Sequence, residues 1–178
     1  MRFRTVLPIA LALSVGAVAF AEAASSKTVT IDAITAQGIG AAVGTITLQD
    51  SSGGLVLKTD LKGLTPGQHG FHLHANGSCA PAAQNGQMAA GMAAGGHFDP
   101  AKTGKHLGPD AMGGHKGDLP VLVVAADGTA KVSLLAPHLK LADVAGHALM
   151  IHAGGDNYSD QPQPLGGGGA RIACGVVM

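Results

Sequence analysis

The class of the fold is decided by residues 42–61, AVGTITLQDSSGGLVLKTDL, which contain two strand-like runs on either side of a turn. The runs at 42–48 and 55–61 are rich in Val, Ile, Leu and Thr, and this composition favours β-strands. Between them, Ser52-Gly53-Gly54 supplies residues that tolerate the positive φ of a hairpin turn. The stretch therefore predicts a pair of antiparallel strands.

Similar runs recur along the rest of the chain. They lie, with turn signals between them, at residues 28–35, 68–74, 119–125, 130–135, 147–152 and 172–177. Glycine makes up 28 of 178 residues, about twice its usual share of ~7%, which indicates many tight turns and argues against an all-helical fold. A stretch at 139–144 could form at most a short helical turn. We expect an all-β domain, a sandwich or barrel of eight antiparallel strands.

Two long segments, 75–118 and 153–169, interrupt this pattern of short strands and turns. Loops of this length are uncommon in a compact domain unless they are functional or disordered. The first contains His97, His106, His115 and Asp118, all of which have side chains that bind metals. We therefore predict two functional loops, ordered by what they bind.

The N-terminus has the pattern of a secretory signal. Arg2 and Arg4 precede an apolar run at 6–20, which ends at Ala19-Phe20-Ala21-Glu22-Ala23. A membrane anchor is the competing interpretation, but the run is shorter than the ~20 residues that span a bilayer. We predict a signal peptide at 1–23 and a mature domain at 24–178, with no membrane association after cleavage.

Export and charge narrow the functional classes. Cys79 and Cys174 are the only cysteines, and in an oxidising compartment they are more often bridged than present as two free thiols. The chain has 11 Lys and Arg against 11 Asp and Glu, so it lacks the basic surface that a nucleic-acid partner would require. Nucleic-acid binding is therefore excluded.

The histidines are placed so that they could bind metals together. His72 and His74 are two residues apart in a predicted strand, so both side chains point to one face. In the seventh strand the same alternation puts Leu149 and Ile151 inward and His152 outward.

The long first loop adds a second group of ligands. His97, His106 and His115 recur nine residues apart, and Asp118 follows three residues later. Imidazole suits both zinc and copper, and a carboxylate added to three imidazoles suits zinc better. We therefore predict a site for metal ions.

These residues resemble the copper/zinc superoxide dismutases, in particular their bacterial periplasmic branch, over essentially the whole mature chain. The matching motifs are Gly70-Phe71-His72-Leu73-His74, Gly95-Gly96-His97-Phe98-Asp99-Pro100, Gly104-Lys105-His106, His115-Lys116-Gly117-Asp118-Leu119, His152-Ala153-Gly154-Gly155-Asp156 and Gly169-Ala170-Arg171-Ile172-Ala173-Cys174-Gly175.

The resemblance implies a Greek-key arrangement of the eight strands and one copper and one zinc ion per chain. Copper would be bound by His72, His74, His97 and His152, and zinc by His97, His106, His115 and Asp118. The imidazole of His97 would then bridge the two ions.

The resemblance also assigns residues around the metals. Asp156 would accept hydrogen bonds from His72 and His106. Arg171 would attract the superoxide anion beside the copper, and Cys79 would be bonded to Cys174. The lysine and glutamate pattern that guides superoxide in the eukaryotic branch is not matched.

The implied activity is the dismutation of superoxide to O₂ and hydrogen peroxide, by alternate reduction and oxidation of the copper ion. In the periplasm this would protect the cell envelope from oxidative damage. The alternative is an exported copper or zinc carrier without turnover. A zinc hydrolase is disfavoured because the zinc ligands number four and no Glu follows Glu22. The sequence leaves open whether the protein is a monomer or a homodimer.

Overall fold

The computed structural model describes residues 25–178, so the predicted signal peptide at 1–23 lies outside it. Within these residues, strands β1 to β11 are Ser26–Thr35, Gly38–Ser51, Gly54–Leu61, Gly67–His69, Phe71–His74, Ala82–Gln84, Gln87–Ala89, Leu122–Val124, Ser133–Ala136, Ala148–His152 and Arg171–Val176. Helix α1 is Leu141–Val144, and two 3-10 turns are Met92–Ala94 and Pro164–Gly167.

Seven strands form one antiparallel sheet in the order β5-β10-β11-β1-β2-β3-β9. β4 pairs with β8, and β4 is followed directly by β5, so the sheet curls around a common interior. The neighbours β3 and β9, like β5 and β10, are far apart in the chain, as in Greek-key folds. The all-β class and the Greek-key arrangement are confirmed.

The hairpin predicted from residues 42–61 forms as β2 and β3, with Ser51 opposite Gly54. The Ser51 hydroxyl accepts a hydrogen bond from Gly53 N at 3.2 Å and donates one to Gly54 O at 2.9 Å. Gly54 has φ of 135°, and a Cβ there would lie 2.4 Å from Ala136 O. The second glycine of the turn is thus required by both its backbone angle and the neighbouring strand.

Two details differ from the prediction. The run at 68–74 is broken at Gly70, whose N–H donates to Gly154 O at 2.7 Å and whose carbonyl accepts from His152 N at 2.8 Å. The chain changes partner there, from β8 to β10. The segment at 75–118, predicted to lack strands, contains the small hairpin of β6 and β7, which turns at Asn85-Gly86.

The interior of the curled sheet is mostly aliphatic, and its largest fully buried side chain is Phe71. Leu149 and Ile151 lie in this core, as predicted, while Met150 packs on the other side of β10 with Ala94 and the cysteines. Every residue of β5 and β10 is buried, because the two long loops cover their outer face. His72, His74 and His152 therefore lie outside the apolar core but beneath the loops.

A disulfide joins Cys79, in the first long loop, to Cys174 of β11, with 5.7 Å between the Cα atoms. The predicted pairing is confirmed, and the bond ties the loop to the sheet across 95 residues of sequence. Among residues 25–178, no helix has the length and apolar character needed to cross a membrane.

Candidate metal centre

The first long loop lies along the free edge of β5. Leu73 N donates to Gly117 O, and Phe98 N donates to Leu73 O, both at 2.8 Å. A Cβ at Gly117 would lie 2.3 Å from Leu73 O, so only glycine allows the loop to approach this closely. These backbone contacts bring His97 beside His74, and Asp118 beside His72.

One cluster consists of four imidazoles, those of His72, His74, His97 and His152, whose candidate ligand atoms lie within 4.8 Å of one another. The Nε2 atoms of His74 and His152 are 3.4 Å apart, and the rings of His72 and His97 stack with centroids 3.8 Å apart. The cluster contains no carboxylate. This is the set that the sequence assigned to copper.

The second cluster surrounds Oδ1 of Asp118. His97 Nδ1 lies 2.9 Å from this oxygen, His106 Nδ1 lies 3.0 Å from it and His115 Nδ1 lies 3.4 Å from it. Ligands placed ~2.0–2.1 Å from a tetrahedral zinc ion are about 3.3 Å apart. The spacing therefore fits zinc.

The ring nitrogens left without partners agree with both clusters. Among residues 25–178, four buried side-chain nitrogens have no hydrogen-bond partner: His72 Nδ1, His97 Nε2, His106 Nδ1 and His115 Nδ1. A buried polar atom without a partner costs about 1–3 kcal/mol, so such a group of them indicates a missing ligand. The residues present fit two metal ions.

His97 and His72 each have one ring nitrogen that contacts a carboxylate and one that is left free to bind a metal. The Nδ1 atom of His97 faces Asp118, and Nε2, on the opposite side of the ring, is free. The compact group of four around Asp118 contains His72 beside His97 and His106, and not His115, whose Nδ1 lies 3.4 Å from Oδ1 of Asp118. However, Nε2 of His72 is held by Asp156, and only Nδ1 is left to bind a metal.

Asp156, in the second long loop, joins the clusters. Its Oδ2 lies 2.8 Å from His72 Nε2, and its Oδ1 lies 2.7 Å from His106 Nε2. Tyr158 N also donates to Oδ1 at 2.7 Å. Because each imidazole donates its Nε2 proton to the carboxylate, its Nδ1 lone pair would be available to a metal ion.

Gly166 closes the loop over this carboxylate. A Cβ at Gly166 would lie 1.9 Å from Oδ1 of Asp156 and 2.9 Å from Nε2 of His106. The residue has φ of 70°, which glycine adopts without strain. Gly166 was not among the predicted site residues, because the run Gly166-Gly167-Gly168-Gly169 gives no sign of which glycine is packed against the site.

Burial sets the charge of the four-imidazole cluster. Burial lowers the pKa of His97 to about 4 and that of His152 to about 3. The pKa values of His72 and His74 are lowered for the same reason. All four rings are therefore neutral near pH 7, which is the form that binds metals.

The charge of the second cluster, around Asp118, is set differently because this cluster contains a carboxylate. Burial by itself would lower the pKa of His106, but the nearby carboxylates of Asp118 and Asp156 raise it to about 9. Burial would raise the pKa of Asp118, yet the neighbouring imidazoles of His106 and His97 hold that pKa below its ordinary value. The carboxylates thus favour positive charge in this cluster, as a divalent cation would supply.

A cavity of about 350 Å³ leads to the four-imidazole cluster and is lined by His97, His152 and Arg171, among others. The guanidinium of Arg171 donates to Gly91 O at 2.6 Å and to Gly95 O at 2.7 Å. No carboxylate within residues 25–178 forms an ion pair with it. Its charge is therefore uncompensated, and the cavity is suited to a small anion.

The remaining histidines do not join the clusters. His69 is buried and held by two carbonyls, Thr65 O and His152 O, both at 2.7 Å. His147 contacts Ala75 O through Nδ1 and packs against Phe98. His138 belongs to neither group of metal-binding side chains found in the described part of the chain.

Comparison with known proteins identifies the family. The sequence model of the copper/zinc superoxide dismutases matches residues 42–177. The chain belongs to the copper/zinc superoxide dismutase family. It is 57% identical to "Superoxide dismutase [Cu-Zn] 2" of Salmonella typhimurium over 162 residues, which cover 90% of this chain and 92% of the relative. It is 52% identical to "Superoxide dismutase [Cu-Zn]" of Escherichia coli K12, over 95% of both chains.

Solved structures of copper/zinc superoxide dismutases agree with this family assignment. The copper/zinc superoxide dismutase of Brucella abortus superposes with a TM-score of 0.85 and 51% identity, covering 86% of this chain and 100% of that one. The monomeric enzyme of Salmonella enterica gives a TM-score of 0.78 at 56% identity, with the same coverage. The predicted dismutase activity, with superoxide as substrate and with copper and zinc as cofactors, is confirmed.

Proposed function

We propose that this superoxide dismutase binds copper through His72, His74, His97 and His152 and zinc through His97, His106, His115 and Asp118. The observation that carries the proposal is the set of four buried ring nitrogens without hydrogen-bond partners, which are distributed over the two clusters. When bound, copper supplies one-electron redox chemistry, and zinc, which has none, completes the second cluster.

His97 serves both sites, since its Nδ1 faces Asp118, while its Nε2 is unpartnered and its ring stacks on that of His72 in the four-imidazole cluster. Its ring lines the cavity, so an anion that enters can approach it. Nε2 has no partner within the described residues and is the atom that we expect to hold and release a proton in each cycle. Reduction of superoxide to hydrogen peroxide consumes protons, and this nitrogen belongs to a ring that lines the cavity.

Arg171 attracts and orients superoxide. Two carbonyls fix its guanidinium at the wall of the cavity, and the other residues lining the cavity carry no Lys, Arg, Asp or Glu side chain. The anion is thus drawn toward a single fixed cation beside the copper-binding imidazoles. A fixed cation beside the copper ligands attracts an anionic substrate, and a copper carrier without turnover would not need one.

The enzyme acts in the periplasm as a mature chain of residues 24–178, after removal of the signal peptide at 1–23, and protects the cell envelope from superoxide. Mass spectrometry of the exported protein tests the cleavage, and retention of residues 1–23 would contradict it. Sedimentation of the mature chain decides between the monomer and the homodimer that the sequence leaves open. The relative from Salmonella enterica is described as monomeric.

The metal assignment is tested by elemental analysis together with spectroscopy. We expect one copper and one zinc per chain and the spectroscopic signature of a shared imidazolate in Cu-substituted protein. His97→Ala should abolish that signature, whereas His147→Ala, a matched change outside both clusters, should leave it intact. An unchanged signature in His97→Ala would contradict the shared ring.

The role of Arg171 is tested by kinetics. We expect Arg171→Ala to lower the rate of superoxide dismutation and to weaken its dependence on salt, with the metal content unchanged, since the guanidinium contacts only carbonyls. A carrier without turnover would show no activity above that of free copper in either form. Unchanged kinetics in the variant would show that superoxide is attracted elsewhere.

A further inference from the structure

Leu165 lines the same cavity as His97, His152 and Arg171, and its side chain is 40% exposed. Its backbone has φ of 55°, in the left-handed region that residues other than glycine seldom adopt. An exposed aliphatic side chain gains little from packing, so packing does not explain why the chain keeps this conformation. Polar contacts of its backbone must hold it.

The main polar contact is with the carboxylate of Asp160. Leu165 N donates to Oδ1 of Asp160 at 3.1 Å. The other oxygen, Oδ2, accepts from the backbone N–H of His106 at 3.0 Å, across 54 residues of sequence. One side chain therefore joins the wall of the cavity, in the second long loop, to the backbone of a zinc-cluster residue in the first.

We infer that Asp160 is a positioning residue. It fixes Leu165 at the entrance to the cavity that leads to the four-imidazole cluster, and it connects that entrance to the first long loop, which contains His106. The inference rests on the proposed function in so far as this cavity is the route of superoxide. It assigns Asp160 no contact with substrate or metal. Its effect on the reaction is exerted through the position of Leu165.

Asp160 and Asp156 act on neighbouring residues of the same loop. Asp156 binds the imidazole of His106 and packs against Gly166, while Asp160 binds the main chain of His106 and that of Leu165. Leu165, which lines the cavity, and the buried Gly166 that follows it thus each meet a carboxylate that also contacts His106. The first long loop is therefore connected to the second at two adjacent residues, one of which belongs to the cavity wall.

This geometry makes Asp160 a determinant of which anions enter. With its acceptor removed, Leu165 N is no longer held and the residue is free to leave the left-handed conformation. The entrance then widens, while Arg171, which is held by other carbonyls, stays in place. Large anions should gain access relative to superoxide.

The experiment uses the holoenzyme with one copper and one zinc per chain, as wild type, Asp160→Ala, Asp160→Asn and Leu165→Ala. The control is Asp127→Ala, which removes a carboxylate that likewise accepts two hydrogen bonds, both from Thr129 in a distant turn. Two quantities are measured: hydrogen exchange of the Leu165 and His106 amides in the reduced, diamagnetic protein, and the rate of copper reduction by hexacyanoferrate(II) relative to superoxide. Rates are compared at 1 M salt, where the Debye length is about 3 Å, to suppress the effect of the lost charge.

We expect both amides to exchange several-fold faster in Asp160→Ala than in wild type or the control. The rate ratio should rise several-fold in Asp160→Ala and in Leu165→Ala. If Asp160→Ala does not retain zinc, the isosteric Asp160→Asn, which keeps one acceptor, is judged by the same two measurements.

Unchanged exchange of the Leu165 amide would overturn the inference, as would a ratio that stays constant in either Asp160 variant or in Leu165→Ala. These outcomes differ from a failure of the proposed function. An inactive wild-type holoenzyme would refute the function, while the dependence of the Leu165 amide on Asp160 would still be measured directly.

Discussion

The most informative single change outside the metal ligands is Asp156→Asn. The carboxylate accepts three hydrogen bonds, from His72 Nε2, His106 Nε2 and Tyr158 N. An asparagine of the same shape has one acceptor oxygen and one NH₂ donor. The donor must face at least one of the imidazole N–H groups, and that group loses its partner.

The size of the expected loss of metal affinity follows from the burial of the two imidazoles. Both imidazoles are fully buried, so the ring whose N–H faces the amide can recover its hydrogen bond only by changing tautomer, which removes the Nδ1 lone pair from the metal. A buried polar group without its partner costs about 1–3 kcal/mol, or roughly one to two orders of magnitude in an equilibrium constant. Outer contacts of metal-binding histidines are generally worth about 10–100-fold in metal affinity.

We therefore expect Asp156→Asn to bind one of the two metals about 10–100-fold more weakly: copper if the amide NH₂ faces His72, and zinc if it faces His106. Both affinities are measured by competition with chromophoric chelators at neutral pH. Asp127→Asn, in an exposed turn, serves as the control and should retain wild-type affinity. Affinities for copper and zinc that both stay within threefold of wild type in Asp156→Asn would refute the claim that this carboxylate sets the tautomer of the ligands.

Three further predictions concern the loops, the disulfide and pH. Gly166→Ala should displace the Asp156 carboxylate, because the new Cβ would lie 1.9 Å from Oδ1, and should release zinc to the same chelator; full retention of zinc would contradict this packing. Replacing Cys79 and Cys174 by Ser should lower the free energy of unfolding by up to about 4–5 kcal/mol, since the bond closes a loop of 95 residues, and denaturant unfolding measures the change; a loss below 1 kcal/mol would contradict it. Metal-free protein should lose stability as pH falls from 6.5 to about 4, because the unfolded chain protonates His97 at its ordinary pKa while burial delays protonation in the fold; a melting temperature constant over this interval would argue against it.

The sequence could predict the strands and the ligand types because both depend on local patterns. The alternation of His72 and His74 with Phe71 and Leu73 places the two imidazoles on one face in any extended chain. The structure keeps this alternation, with Phe71 and Leu73 in the aliphatic core and the histidines under the loops. The predicted export favoured pairing of the two cysteines, because thiols in an oxidising compartment are more often bridged than free.

Other features depend on contacts between remote segments, and no local pattern reports them. The break of the strand at Gly70 arises from its hydrogen bonds with Gly154 and His152, about 80 residues away. The nitrogen of each ring that is free to bind a metal is set by Asp156 and Asp118, in two different loops. The hairpin of β6 and β7 is an exception, since Asn85-Gly86 is a strong local turn signal from which this hairpin could have been predicted.

The position of the metal clusters outside the aliphatic core explains how the protein accommodates them. The core is formed by strands whose inner faces are apolar, and it needs no contribution from the histidines. The loops that cover the histidines have little apolar packing of their own, apart from a small cluster around Ala94 and the disulfide. Four unpartnered ring nitrogens oppose closure of these loops in the absence of metal. Metal binding removes this penalty, so its free energy should stabilise the loops more than the strands.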